Sequence, residues 1–290
     1  MRFIDLKILV KFEKEISENW DYSSAFRGIF GRILKKTYCL QKNIECNSCV
    51  FDNCIYYMLF EKKYDNTISF RPYTIRHDHS SSEKNSILLE FKLIGTLTEY
   101  FDQIAFVLIK LQKHYLLIRG KKYFFRIEKI VDKNTNNEIF NSEEGKILKI
   151  NPQKILYDFP KFNHLKINFV TPLRMKYKNK LMNNFNFEAF INSLHKRLLF
   201  LNENFGDNDL VIPVPSYEGI VVEKKQFVWK EFYRKSYRQH QKMSLGGIIG
   251  YAVLKNVDEK TFINLKLGEI FHAGKQTAFG MGKYLITEVK

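Results

Sequence analysis

Three groups of residues have types and spacing that suit them to chemistry. The first is GEIFHAGKQTAFGMGKYLI, from Gly268 to Ile286, where Gly274, Gly280 and Gly282 surround Lys275, Gln276 and Thr277. A helical pattern (Phe262, Ile263, Leu265, Leu267, Ile270, Phe271) leads in, and strand-like alternation resumes at Tyr284. Glycine permits positive φ and leaves no side chain between backbone and ligand, so successive amides can point at a phosphate. Lys275 and Lys283 add charge, and Gln276 and Thr277 add neutral donors. A nucleotide-triphosphate loop is excluded, because G-x-x-x-x-G-K-[ST] must follow a strand and open a helix. Here the preceding helix presents its C-terminus, whose dipole disfavours phosphate. Loop amides and side chains would have to hold the anion, unless the glycines serve only a tight connection.

The second group is the cysteines, all within sixteen residues: Cys39, Cys46, Cys49 and Cys54, spaced C-x6-C-x2-C-x4-C. In a cytoplasmic protein this spacing reads as a metal site, most simply a tetrahedral structural zinc. An iron–sulfur cluster or reduced, unligated thiols are the alternatives. Four protein ligands would leave no open position, so such a zinc would hold a loop together without doing chemistry.

The third group is basic and aromatic. Between Lys224 and Lys242 the chain reads KKQFVWKEFYRKSYRQHQK, with Glu231 as its one acid. If it is extended, Phe227, Trp229, Tyr233 and Tyr237 share one face and Lys230, Arg234 and Arg238 the other. That arrangement suits RNA phosphates and unpaired bases. Arg174, Lys176, Lys178 and Lys180 form a further basic run. Among the histidines, His240 lies in the basic stretch and His272 just before the glycine loop, so either could transfer a proton beside a phosphate. His77 and His79 fall in a polar loop, while His114 and His195 fall within expected helices and read as structural or exposed.

Composition bears on the partner. Lys and Arg number 47 against 31 Asp and Glu, a formal charge of +16, which points to a polyanion and first to nucleic acid. Hydrophobic residues make up 45% of the chain, enough for two cored domains in 290 residues. No apolar run approaches a membrane span and the N-terminus lacks a signal-peptide core, so a cytoplasmic protein without membrane contact is expected.

The elements that must position these groups follow in order. Even positions of residues 1–13 form an apolar strand face, and Ser23 or Ser24 caps a helix carrying Phe26, Ile29, Phe30 and Ile33, with Arg27, Arg32, Lys35 and Lys36 elsewhere on it. Gly28 and Gly31 inside this helix imply a close neighbour. Strands are expected at 67–75 and 86–94, a helix over 99–117, and a strand over 123–131. After a boundary near 157–161 the order repeats: strand 165–177, helix 187–205 closed by Gly206, strands 214–238 and 242–254, a helix capped by Asp258, and strand 283–289. This predicts an α+β protein of two tandem ferredoxin-like (RRM-like) domains, 1–158 and 159–290. The first carries the cysteine-rich insertion 39–54 and the second the glycine-rich loop 274–282.

Several segments in this order, FRGIFGRILKK, CIYYMLFE, INFVTPLRMKYKNK, W-x-E-F-Y-R-x-S-x-R-Q, MSLGGIIG and HAGKQTAFGMGKY, resemble the CRISPR-associated endoribonucleases of the RAMP superfamily that process precursor RNA. The resemblance implies two ferredoxin-like domains and cleavage within CRISPR repeat RNA to give guide crRNAs. It implies a reaction that needs no metal or other cofactor: the ribose 2′-OH attacks the adjacent phosphate, leaving a 2′,3′-cyclic phosphate and a 5′-hydroxyl. A base, an acid and cations are then required. Candidates for the proton transfers are His272, His240, His77, His79 and Tyr38, with Lys35 and Lys36 as stand-ins. Candidates for RNA contact are Arg27, Arg32, Arg174, Lys230, Arg234, Arg238, Lys242, Gly274, Lys275, Gln276, Thr277, Gly280, Gly282 and Lys283. Many relatives carry a catalytic histidine in or just after the first helix, and this chain has none between Ser23 and Cys54. The alternative is a non-catalytic RNA-binding RAMP subunit of a CRISPR effector complex. The expected oligomeric state is a monomer or weak homodimer.

Overall fold

Strand β1, Arg2–Phe12, buries Ile4, Leu6, Ile8, Val10 and Phe12, the even positions that a period-two pattern turns to one side. The computed structural model describes residues 1–16, 22–63, 70–80, 83–118, 120–207, 210–231, 233–236 and 241–289. It divides into two compact units, Met1–Lys154 and Ile155–Lys290.

In the first unit β1 is followed by α1 (Ser23–Tyr38), β2 (Tyr73–Asp78), β3 (Ser86–Ile94), α2 (Phe101–Lys110), β4 (Tyr115–Ile118) and β5 (Lys121–Asp132). The sheet is antiparallel in the order β2-β3-β1-β5-β4, with β6 (Glu138–Asn141) on β5 and β7 (Gln153–Lys154) on β1. Phe26 and Phe30 of α1 and Leu108 of α2 meet Ile8, Ile75, Leu89, Phe91 and Ile127 of the sheet in one apolar core. Gly31 has the close neighbour expected of it. A Cβ there would sit 2.5 Å from the Phe60 ring, which a single π turn over Tyr57–Glu61 presses against α1. Gly28 has no such neighbour within 4 Å.

The sheet face away from the helices carries a buried ionic row. Asp5 accepts from Lys92 Nζ at 2.5 Å, and Glu90 accepts from Arg76 Nε at 2.8 Å and Lys133 Nζ at 2.5 Å. Burial alone would raise the Glu90 carboxyl, but the bonds and charges of Arg76 and Lys133 overcome it and hold the pKa well below the carboxylate range.

The second unit repeats the plan with β8 (Leu165–Phe169), β9 (Lys176–Tyr177), β10 (Lys180–Leu181), α3 (Phe187–Phe205), β11 (Val221–Lys230), β12 (Tyr233–Ser236), β13 (Gln241–Ser244), β14 (Gly247–Lys255), α4 (Glu259–Phe271) and β15 (Tyr284–Glu288). Its main sheet runs β11-β14-β8-β15, and β9/β10 and β12/β13 are separate hairpins. Helix α1 begins after Tyr22 with no side-chain cap, so neither Ser23 nor Ser24 caps it, whereas the helix starts of this unit follow capping chemistry. The Asn186 side chain accepts from Ala189 N at 2.8 Å, Asp258 accepts from Thr261 N at 3.0 Å, and Gly206 closes α3. Both units have the βαββαβ connectivity of the ferredoxin-like fold.

Several boundaries differ from expectation. The helix expected over 99–117 is a 3₁₀ stretch at Gly95–Tyr100, then α2, then a 3₁₀ turn at Leu111–Lys113; β4 occupies the remainder. The expected strand at 67–75 lies instead at β2, so His77 is in a strand rather than a loop. The strand expected over 214–238 is β11 and β12, broken at Glu231. No described helix is long and apolar enough to cross a membrane.

Glu90→Gln leaves Arg76 and Lys133 facing a neutral amide and should cost about 3 kcal/mol at neutral pH. A carboxylate held low when folded stabilises above its unfolded pKa of ~4.3 and loses that contribution as pH falls. The gap between the variant and the unaltered protein in urea denaturation should therefore narrow below about pH 4; a pH-independent gap would contradict the ionic assignment.

Candidate nucleic-acid interface

The glycine loop is built by close backbone approach. A Cβ on Gly282, at φ +73°, would lie 1.8 Å from the Ala273 carbonyl oxygen; one on Gly274, at φ +76°, would lie 2.6 Å from the Arg174 carbonyl oxygen. Those carbonyls, with Pro172 and Thr171, frame the loop. Lys275 N donates to Arg174 O at 2.7 Å, Gly282 N to Pro172 O at 3.0 Å, and Ala273 N to Gly282 O at 2.9 Å. The Thr171 hydroxyl donates to Gly280 O at 2.8 Å and accepts from Lys283 N at 2.9 Å. The glycines thus serve contact within the protein, and these amides are engaged there rather than arrayed for an anion. Gly274, Thr277, Gly280 and Gly282 are buried, and the loop gives solvent only Lys275 and Gln276. Gln276 takes a left-handed conformation at φ +63°, which turns the tip outward.

Arg174 links this loop to the neighbouring strands. Its guanidinium donates to Gly246 O at 2.5 Å while its carbonyl receives Lys275 N. A Cβ on Gly246 would meet Glu231 Oε2 at 2.5 Å and the Trp229 ring at 2.6 Å, and Trp229 Nε1 donates to Glu231 Oε2 at 2.6 Å. From Arg174 the chain runs into the β9/β10 hairpin, which turns through Lys178 and Asn179 at positive φ and exposes Lys176, Tyr177, Lys178 and Lys180. Lys230 at the end of β11 is exposed as well. Phe227 faces inward, stacked on Phe185 with ring centroids 4.8 Å apart.

Lys283 and Arg27 are committed elsewhere. Lys283 Nζ donates to Glu269 O at 3.1 Å. Arg27 donates to the Tyr73 hydroxyl at 3.2 Å and lies over the Phe60 ring at 4.8 Å. Arg238 and His240 lie outside the described residues. Arg234 pairs opposite Met243, and Lys242 opposite Lys235, in the β12/β13 register.

Of the proposed proton donors and acceptors, the structure brings His77 and His79 side by side in the first unit. His272 is buried at φ +63°, its Nδ1 3.3 Å from Met281 O and its carbonyl accepting from Arg197 Nε at 3.1 Å. His77 is buried in β2 beside the start of α1, its amide donating to Ser23 Oγ at 2.8 Å and its ring 4.1 Å from that of the exposed His79. Tyr38, at the other end of α1, donates to Gln103 O at 3.4 Å, and burial pushes its phenol up. His114, read from sequence as a helix residue, leads into β4 beside α1. Arg32, Lys36 and Lys110 act on it there. Only where α2 ends could have signalled this, and continuous apolar residues obscure that end.

The zinc expectation finds no preformed site. Cys39, Cys46, Cys49 and Cys54 are half-buried and free, and among the described residues no three Cys, His, Asp or Glu gather to hold a metal. Cys49 Sγ instead lies 3.4 Å from Gln41 Oε1. Burial raises the Cys46 thiol pKa, Lys35 opposes this, and Glu61, Cys39 and Cys54 add to it.

Residues 167–284 match the family model of the CRISPR-associated endoribonuclease Cas6, and residues 1–153 match a model described as an N-terminal domain. An uncharacterized protein of Archaeoglobus fulgidus is 24% identical over 280 residues, covering 90% of each chain. Among solved structures, a Cas6 product complex aligns with a TM-score of 0.62 at 12% identity, covering 99% of this chain and 100% of its own. Thermus thermophilus Cas6 aligns at 0.56 and 12% identity over 99% and 98%. The product of a Cas6-related gene from Pyrococcus furiosus aligns at 0.51 and 14% over 99% and 100%. At these identities the structural likeness establishes the fold.

Two substitutions separate charge from loop shape. Lys275→Ala should weaken RNA binding by ~1 kcal/mol across sequences and lower the salt slope by about one. Gly282→Ala keeps every charge but forces a Cβ into the Ala273 carbonyl, and should weaken binding more than Lys275→Ala does. Filter binding at several salt concentrations reads both; unchanged affinity in Gly282→Ala would remove the loop from the interface.

Proposed function

Because this chain belongs to the Cas6 family of CRISPR-associated endoribonucleases, we propose that it cuts CRISPR repeat RNA in precursor transcripts by 2′-OH attack. The products are guide crRNAs with a 2′,3′-cyclic phosphate on one fragment and a 5′-hydroxyl on the other. The observation that carries this reading is the tip of the glycine loop, inside the segment the family model covers. There Lys275 and Gln276 alone are turned to solvent, and Arg174 ties the tip to the basic β9/β10 hairpin. A cation on a rigid loop beside more exposed lysines binds a phosphate backbone, and RNA brings its own nucleophile next to each phosphate.

The reaction needs charge stabilisation at phosphorus and two proton transfers. Lysine and arginine side chains supply positive charge, so the proposed cleavage proceeds without a metal ion. The partner is the repeat RNA; a CRISPR effector complex would receive the product.

The test is single-turnover incubation with the cognate repeat RNA in EDTA, with product ends mapped. One cut is expected, leaving a cyclic phosphate, and none with 2′-deoxyribose at the cut position. Tight binding with no cut would overturn the nuclease reading in favour of a non-catalytic RAMP subunit. Cleavage of the 2′-deoxy substrate would overturn the mechanism.

A further inference from the structure

Building on the nuclease reading, we propose that His114 is the proton-transfer group of the cleavage and that Arg32, Lys36 and Lys110 hold the phosphate beside it. The placement follows from how α2 ends. The helix stops at Lys110, one 3₁₀ turn covers Leu111–Lys113, and His114 is the extended residue leading into β4. That turn and β4 both pack against α1. Arg32 and Lys36 stand one turn apart on α1, so they share a side, and both are exposed. Lys110 reaches the same helix end, its Nζ 3.2 Å from Thr37 Oγ1. Cations from α1 and α2 therefore border the turn that carries His114, near enough for their charges to act on it.

The state of that imidazole suits a base. It is half-buried, and its ring nitrogens make no hydrogen bond among the described residues. Burial first, then Lys36, Arg32 and Lys110, push its pKa below the ordinary histidine range, so it is neutral at neutral pH. The same cations that disfavour an imidazolium favour a phosphate, and a bound phosphate offsets their effect on the proton His114 accepts. His77 and His272 are buried within the fold and offer no comparable access.

In the proposed step neutral His114 takes the 2′-hydroxyl proton as the 2′-oxygen bonds to phosphorus. The P–O5′ bond breaks, and the 5′-oxygen takes a proton from water. His114 then returns its proton to solvent. His114 is thus assigned to a position that neither the first helix nor the glycine loop contains.

His114→Ala removes no hydrogen bond made among the described residues, so the fold should persist, as circular dichroism would verify. Repeat-RNA binding should stay within about twofold while cleavage falls at least ~100-fold, with partial rescue by added imidazole. With RNA below saturation, the unaltered protein's rate should rise with pH to a midpoint below the usual histidine value; that inflection should vanish in the variant. Arg32→Ala and Lys36→Ala should instead weaken binding and flatten its salt dependence. If the unaltered protein cuts and His114→Ala cuts equally fast, the inference is overturned. A slower variant that keeps the inflection and ignores imidazole also overturns it, since His114 would then be structural. No cleavage by the unaltered protein is the failure of the nuclease reading itself, and this inference falls with it.

Discussion

The second unit depends on how the end of α4 is neutralised. A helix C-terminus leaves carbonyls unpaired and a negative dipole end. Here the fully buried Arg197 of α3 donates to Phe271 O at 2.9 Å and to His272 O at 3.1 Å, while Lys283 donates to Glu269 O at 3.1 Å. Burial lowers the Arg197 pKa to about 9, which leaves it charged at neutral pH. With those carbonyls satisfied, His272 can hold φ +63° and ψ 163°, and the chain leaves the helix at the angle from which Gly274 and Gly282 meet Arg174 and Ala273. The orientation of Lys275 is thus set from the core outward.

This division of cations separates buried, paired charge from exposed charge. Arg197 and Lys283 face helix carbonyls, and Arg76, Lys92 and Lys133 face buried carboxylates. None of these contributes to an external field as an exposed lysine does. The positive charge that reaches the surface is carried instead by exposed residues such as Lys176, Lys178, Lys180, Lys230 and Lys275. A net charge counted from sequence gives the sign of the partner but cannot distinguish these roles.

Much of the fold was legible because it rests on local rules. The even face of β1, both helices of the second unit with their caps at Asp258 and Gly206, and the repeated element order all come from periodicity and capping. Less was legible where a run such as Tyr115–Ile118 is apolar throughout, because it fits a helix face and a strand equally well. That ambiguity hid the end of α2 and therefore the environment of His114. The glycines were visible but their use was not, since the carbonyl that excludes a Cβ at Gly274 belongs to Arg174, far away in sequence. His77 was misplaced for a related reason: HDH reads as a polar loop, but its first residue is paired opposite Leu89 and buried.

The two units place Lys275 and His114 at corresponding points of one topology. In each βαββαβ unit the second helix must return to the sheet, and the connection starts at a helix C-terminus where cations are favoured. In the second unit that connection is the glycine loop, and its nearest cations are held by the helix carbonyls, leaving Lys275 to face outward. In the first unit it is the turn ending at His114. Lys110 there reaches a threonine hydroxyl on α1 rather than a carboxylate, so its charge stays uncompensated by an acid and acts on the imidazole. A helix that ended two turns later, as its apolar run suggests, would carry His114 inside it and away from that pairing. The early break in α2 is therefore the feature that joins an α1 cation pair to a titratable group.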